Sequence, residues 1–170
     1  MSIPAETPKP KVYLRKLYAS EKIVIDPTDG TRTIAQAGDV FAWGIDGDFR
    51  KWNLDVLAQA TVPMEVGVHE LIMDGAFENV YGSLGQPLDR LCLTQAQIIG
   101  FCMGYKDKLH QGGYRTFFLF KVGGEFFVAN VCVSSDGRLD ANVRRFSGVD
   151  VWCAEYRHRF VSPQLEPSVA

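Results

Sequence analysis

The stretch LTQAQIIGFCMGYKDKLHQGGYRTFFLFKVGGEFFVANVCVSSDGRLDANVRRF, residues 93–146, decides the fold. Thr94 followed three positions on by Gln97 is a capping box, because hydroxyl and amide can each satisfy an N–H that a first helical turn leaves unpaired. Ile98, Cys102, Tyr105 and Leu109 then recur at i, i+4, i+7 and i+11, the period of one helical face, and Gly112-Gly113 supplies a stop. Gly100 and Gly104 on the neighbouring face suggest close packing on a sheet. After the helix, apolar runs flank Gly123-Gly124 and Asp136-Gly137, dipeptides suited to the positive φ of a two-residue hairpin turn. Residues 151–160 read as one more strand. The expectation is an α+β fold, one capped helix followed by a four-stranded antiparallel meander.

Counting outward from the turns sets a register. Gly123-Gly124 opposes Val122 to Glu125, Phe120 to Phe127, Phe118 to Ala129 and Thr116 to Val131, all on one apolar face. A two-residue loop at Asp136-Gly137 opposes Ser134 to Leu139, Cys132 to Ala141, Asn130 to Val143 and Val128 to Arg145. A four-residue turn after Phe146 then sets Ala154, Tyr156 and His158 beside Val143, Ala141 and Leu139. Arg115, Asn130, Arg145, Tyr156 and His158 fall together on the second, partly apolar face, where polar groups need partners or a ligand.

Working outward to the N-terminus, residues 1–11 are proline-rich and read as a flexible lead-in. Residues 12–25 and 31–34, separated by DPTDG, predict a hairpin. Residues 38–53, GDVFAWGIDGDFRKWN, alternate large apolar side chains with Gly and Asp and predict an irregular aromatic loop with one short helical turn. Met64, Val66 and Val68 predict a strand, and Phe77, Val80, Tyr81 and Leu84 a short helix. The organisation expected is an N-terminal part over 12–84, helix plus meander over 88–162, and a tail over 163–170, forming one compact domain with hairpin and short helix packed on the sheet.

Bulk numbers limit the chemistry. Eighteen Lys and Arg against twenty Asp and Glu give a net charge of −2, so no global field favours nucleic acid or an anionic membrane. No apolar run resembles a signal peptide or a membrane span, which makes the cytoplasm the default compartment. Cys92, Cys102, Cys132 and Cys153 form no C-x-x-C pair and read as small buried hydrophobes. His69-Glu70 with Asp74 and Glu78 lacks the second histidine of a helical zinc motif, and Asp46, Gly47 and Asp48 lack the spacing of a calcium loop. Neither a P-loop nor a nucleophile elbow is present, and no cofactor is expected.

LTQAQIIGF, YRTFFLFKVGGEFFVANVCVSSDGRL and VWCAEYRHRFVSPQ are similar to uncharacterised bacterial proteins, a resemblance that implies a bacterial cytoplasmic setting and brings no activity. A helix followed by such a sheet also resembles cystatin-like and cone-shaped folds, where a helix lies across a concave sheet. Three readings remain. The first is a non-catalytic binding module that contacts a protein partner through helix and sheet or through Trp43 and Trp52. The second is a small-molecule, hydrolase or isomerase pocket between helix and sheet, lined by His158, Tyr156, Asn130 and Arg115, with His158 and Tyr156 as base and hydrogen-bond donor. The third, nucleic-acid binding through Arg144, Arg145, Arg157 and Arg159, competes with a cross-strand salt network.

Overall fold

The computed structural model describes residues 11–165, so the lead-in before Lys11 and the tail after Leu165 lie outside the described residues. Along the chain run β1 (Leu14–Leu17), β2 (Ile23–Ile25), β3 (Gly44–Ile45), α1 (Asp48–Lys51), β4 (Met64–Leu71), α2 (Phe77–Gly82), α3 (Leu88–Leu91), α4 (Gln95–Gly104), β5 (Thr116–Val122), β6 (Glu125–Val133), β7 (Leu139–Arg145) and β8 (Arg159–Pro163). The strands make one eight-stranded mixed sheet in the order β1-β4-β8-β5-β6-β7-β3, with β2 also on β4. This replaces the expected helix and four-stranded meander.

β5 and β6 pair as counted, from Val122 opposite Glu125 to Thr116 opposite Val131. Gly123 and Gly124 adopt φ of 59° and 82°, the two left-handed positions the tight turn requires. β7 pairs with β6 one residue away from the expected register: Val133 opposes Leu139, Val131 opposes Ala141, Asn130 opposes Asn142 and Val128 opposes Arg144. The turn is a three-residue loop. Ser134 N–H donates to Arg138 O (2.8 Å), Gly137 N–H donates to Ser134 O (2.9 Å), and Gly137 takes φ of 84°. Because side chains alternate with period two, that single residue moves every β7 side chain to the other face. Leu139, Ala141 and Val143 thereby join Phe118, Phe120, Phe127, Ala129 and Val131 in one continuous apolar face, face one.

The expected fourth strand is also corrected. After β7 the chain crosses the opposite face, face two, through residues 147–157 and enters the sheet as β8 between β4 and β5, antiparallel to the first and parallel to the second. Pro163 falls where β8 has already left β5, opposite Val66, so its missing N–H costs no ladder bond. At the far edge, β1 and β2 both lie along β4, with Leu14 opposite Leu71 and Ile25 opposite Met64, and the expected N-terminal hairpin does not form. Residues Ile34–Gln36 are a single 3-10 turn. An isolated short hairpin is marginal, whereas the edge of β4 offers a long row of unpaired backbone groups to residues 14–25.

The capping box of α4 is present: Thr94 Oγ1 accepts from Gln97 N–H (3.1 Å) and Gln97 Oε1 accepts from Thr94 N–H (2.9 Å). The helix ends at Gly104, well before Gly112-Gly113, and Tyr105 turns away so that its hydroxyl donates to Val24 O (3.0 Å). Both of its sides are buried. Phe101 meets Phe118 edge-on at 5.5 Å on the sheet side, while Gln95 ties the preceding loops down by accepting from Ile34 N–H (3.0 Å) and donating to Leu54 O (2.7 Å). A Cβ at Gly100 would stand in ordinary contact with Ile25 of β2, at 3.4 Å, and one at Gly104 would meet nothing within 4 Å, so crowding against the sheet requires glycine at neither position. Ile98, Ile99, Phe101 and Cys102 are buried in the same apolar cluster as Phe118 and Phe120 of β5.

Candidate functional site

Face two has two halves. Beneath α2, Phe117, Leu119, Val128 and Phe160 pack with Phe77, Val80, Tyr81 and Leu91 into a second apolar core. Toward β7 the strands present Asn130 and Cys132 from β6 and Asp140, Asn142 and Arg144 from β7, a consequence of the corrected register. The crossover covers the boundary between the halves. Gly75 and Trp152 exchange backbone hydrogen bonds (2.9 and 3.2 Å), and Asp74 Oδ1 accepts from Ala154 N–H (2.7 Å). Asp74 thus pins the crossover, and the first turn of α2 carries Glu78.

Pinned in this way, Trp152 becomes the centre of the site. Its ring lies 4.8 Å from Phe117, 5.4 Å from Phe77 and 5.6 Å from His158. Two guanidinium groups approach the same indole, Arg115 at 5.9 Å and Arg144 at 5.7 Å, distances at which a ring quadrupole attracts a cation. Arg144 is paired with Asp150 at 3.3 Å. Arg115 instead donates to the amide oxygen of Asn130, and no carboxylate of the described residues pairs with it. Asn130 is 0% exposed, and its Nδ2 is buried without a hydrogen-bond partner, as is Trp152 Nε1. A buried unsatisfied amide costs about 1–3 kcal/mol.

His158 joins this cluster through its backbone neighbour. The Arg115 N–H donates to His158 Nδ1 (3.1 Å), which places the proton of the neutral ring on Nε2. Burial, reinforced by the nearby charge of His110, pushes the imidazole down to about 4. Tyr156 lies outside the groove, 40% exposed and stacked on Tyr114 at 4.8 Å, with its ring 6.0 Å from that of His158. Arg115, Asn130 and His158 are therefore brought together, Tyr156 forms an outer rim, and among the described residues no carboxylate hydrogen-bonds the histidine.

Beside Trp152 an open groove of about 400 Å³ is lined by Asp46, Asp48, Trp52, Arg115, Asn142, Val143 and Arg144. Trp52 reaches it from the end of α1 while packing on Phe127 at 6.3 Å and on the Arg145 guanidinium at 4.5 Å. Trp43 does not line it and stands 47% exposed on the preceding loop. Asp46 is occupied in holding the backbone, since its Oδ1 accepts from Asp48 N–H (3.0 Å) and its Oδ2 from Val143 N–H (3.3 Å), closing the β7 edge beyond β3. A second groove of about 380 Å³ runs beside β5 between Val56, Leu57 and Phe120, and its one charged group, Lys121, is engaged by Asp89 at 2.7 Å. Of these two grooves, the first is the one with charged side chains that have no ion pair among the described residues, including Arg115 and Asp48.

The other arginines singled out in the sequence are engaged by partners, whereas His69 Nδ1 is buried without one among the described residues. Arg145 pairs with Glu125 at 2.9 Å, Arg157 approaches Glu70 at 3.9 Å, and Arg159 donates to Lys108 O (2.7 Å) and to the Tyr18 hydroxyl (3.1 Å). The basic run is thus spread over separate acids and carbonyls. Burial pushes the Cys92 thiol up to about 12 and that of Cys132 up to about 11, and raises Cys102 further, so these are poor nucleophiles near neutral pH. Among the described residues no group of three or more His, Cys, Asp or Glu side chains could hold a metal ion, and no helix is long and apolar enough to cross a membrane.

Trp152, Asn142 and Asp48 belong to the site, although no motif in the sequence marks them for it. Ser134 ahead of Asp136-Gly137 is the available signal for Asn142, because a serine there favours the longer loop that turns Asn142 and Arg144 toward Asn130. Comparison with protein-family models, curated proteins and solved structures finds no match to this chain.

Proposed function

We propose that the protein is a non-catalytic binding module whose recognition surface is the groove beside Trp152. The observation that carries this reading is Arg115, a guanidinium held on the neutral amide of a fully buried Asn130, without a carboxylate partner among the described residues, at an open groove. An arrangement that leaves a cation unneutralised and an amide unsatisfied lowers stability, and recognition sites are where folds retain such costs. The groups gathered here are suited to hold rather than to react. A guanidinium, amides and indoles recognise acceptors and flat surfaces, while His158 is boxed among aromatic rings with Nδ1 already engaged.

The test is an NMR titration of the full chain that follows the Arg115 Nε–H and Trp152 Nε1–H resonances against small organic acids and short peptides. Saturable shifts at both groups are expected, and in Arg115→Gln the Trp152 shift should be lost. Saturable shifts confined to other surfaces, with these two silent, would exclude the groove. The same spectra detect any turnover of the added compounds, which would overturn the non-catalytic part of the reading.

A further inference from the structure

Four charged side chains line the groove, and two of them are already used. Asp46 spends both oxygens on backbone N–H groups, and Arg144 is paired with Asp150. The remaining two have opposite sign. Among the described residues the Arg115 side chain has Asn130 as its hydrogen-bond partner and the Trp152 ring beside it but no ion pair, and half-buried Asp48, in the first turn of α1, has no side-chain hydrogen bond or ion pair. The same groove is lined by Trp52, an aromatic side chain, and Asn142, a neutral polar one.

A dianionic phosphate would meet the favourable field of Arg115 and Arg144 together with the repulsion of Asp46 and Asp48. A plain amine would find Asp48 but would face two guanidinium groups. A ligand carrying one charge of each sign satisfies both ends, since a carboxylate suits the planar donor fork of Arg115 and an ammonium suits the Asp48 carboxylate. We infer that the groove binds a zwitterionic molecule of amino-acid type, with its carboxylate on Arg115 and its ammonium on Asp48. This rests on the groove being the recognition surface. Asn130 acts as a positioning residue, fixing the inner edge of the Arg115 fork so that its outer N–H groups are presented to the ligand.

The experiment is a calorimetric and NMR titration of the full chain with the series from glycine to 6-aminohexanoate, and with pentanoate and pentylamine as one-ended controls. The series spans the separation of the two charges. At least one zwitterion is expected to bind about fivefold more tightly than pentanoate, the worth of one half-exposed ion pair. Asp48→Asn should abolish that preference while leaving pentanoate binding, and Arg115→Gln should abolish both. If pentanoate matches every zwitterion and is still lost in Arg115→Gln, the zwitterion proposal fails and the groove stands as a simple carboxylate site. Should no member of the series or control shift the Arg115 or Trp52 side-chain signals, the proposal is overturned. If broader organic acids and peptides are also silent at Arg115 and Trp152, the binding reading falls with it.

Discussion

At Asn130 the amide oxygen holds Arg115 while the amide nitrogen, buried in the sheet, bonds to nothing. Replacing it with Val removes a buried unsatisfied group and leaves Arg115 half exposed to water. Asn130→Val is therefore expected to match the parent in urea denaturation or to exceed it by up to about 1 kcal/mol, while losing affinity at the groove. A loss above about 2 kcal/mol would show that the amide is structural. His158 makes a prediction about pH. Its folded-state value, about 4, lies below the ordinary 6.5, so protonation favours the unfolded chain. The stability it contributes is complete above about pH 6.5 and is lost as pH falls toward 4, a change of up to about 3 kcal/mol. Burial lowers His69 and His110 too, so the comparison must be with a variant. His158→Asn keeps an acceptor for the Arg115 N–H without titrating, and its denaturation midpoint should fall less between about pH 7 and about pH 4.5. Equal falls in the two proteins would place the acid sensitivity elsewhere.

At the scale of elements, the turn between β6 and β7 determines which face becomes the site. Gly137 has φ of 84°, and a Cβ there would meet only the far end of Lys106 at 3.5 Å, so the cost of Gly137→Ala is backbone strain rather than crowding. A loss of about 1–2 kcal/mol in denaturant unfolding is expected. No loss would mean that the loop can relax into another turn without harm to the sheet. The capping box, the Gly-Gly hairpin, the strand at Met64–Leu71 and the short helix beginning at Phe77 are legible in the sequence because each depends on neighbours along the chain. The β6–β7 register is not, because two loop lengths fit Ser-Ser-Asp-Gly-Arg, and a difference of one residue inverts a strand. Arg115, Asn130 and His158 come together even so. In the expected sheet that proximity came from a fourth strand beside β7, whereas β8 in fact places His158 next to β5.

At the scale of the whole molecule, β8 is the joint. It lies between β4, which carries β1 and β2, and β5, which carries β6, β7 and β3. A chain ending before Arg159 is expected to lose cooperative unfolding and dispersed amide resonances in both halves, because the two strand groups share no other ladder among the described residues. A truncated chain that kept a native-like spectrum would refute that role. The sequence by itself determined what is local: the cap of α4, the Gly-Gly turn, the alternation that makes one face of β5 and β6 apolar, and the absence of a global charge field. Only the tertiary structure decided that residues 14–25 add to the edge of β4, that β8 inserts beside β5, and that Trp152 crosses face two to meet Arg115. Those choices depend on competition between distant backbone edges for the same hydrogen bonds, and no window of neighbouring residues records which edge wins.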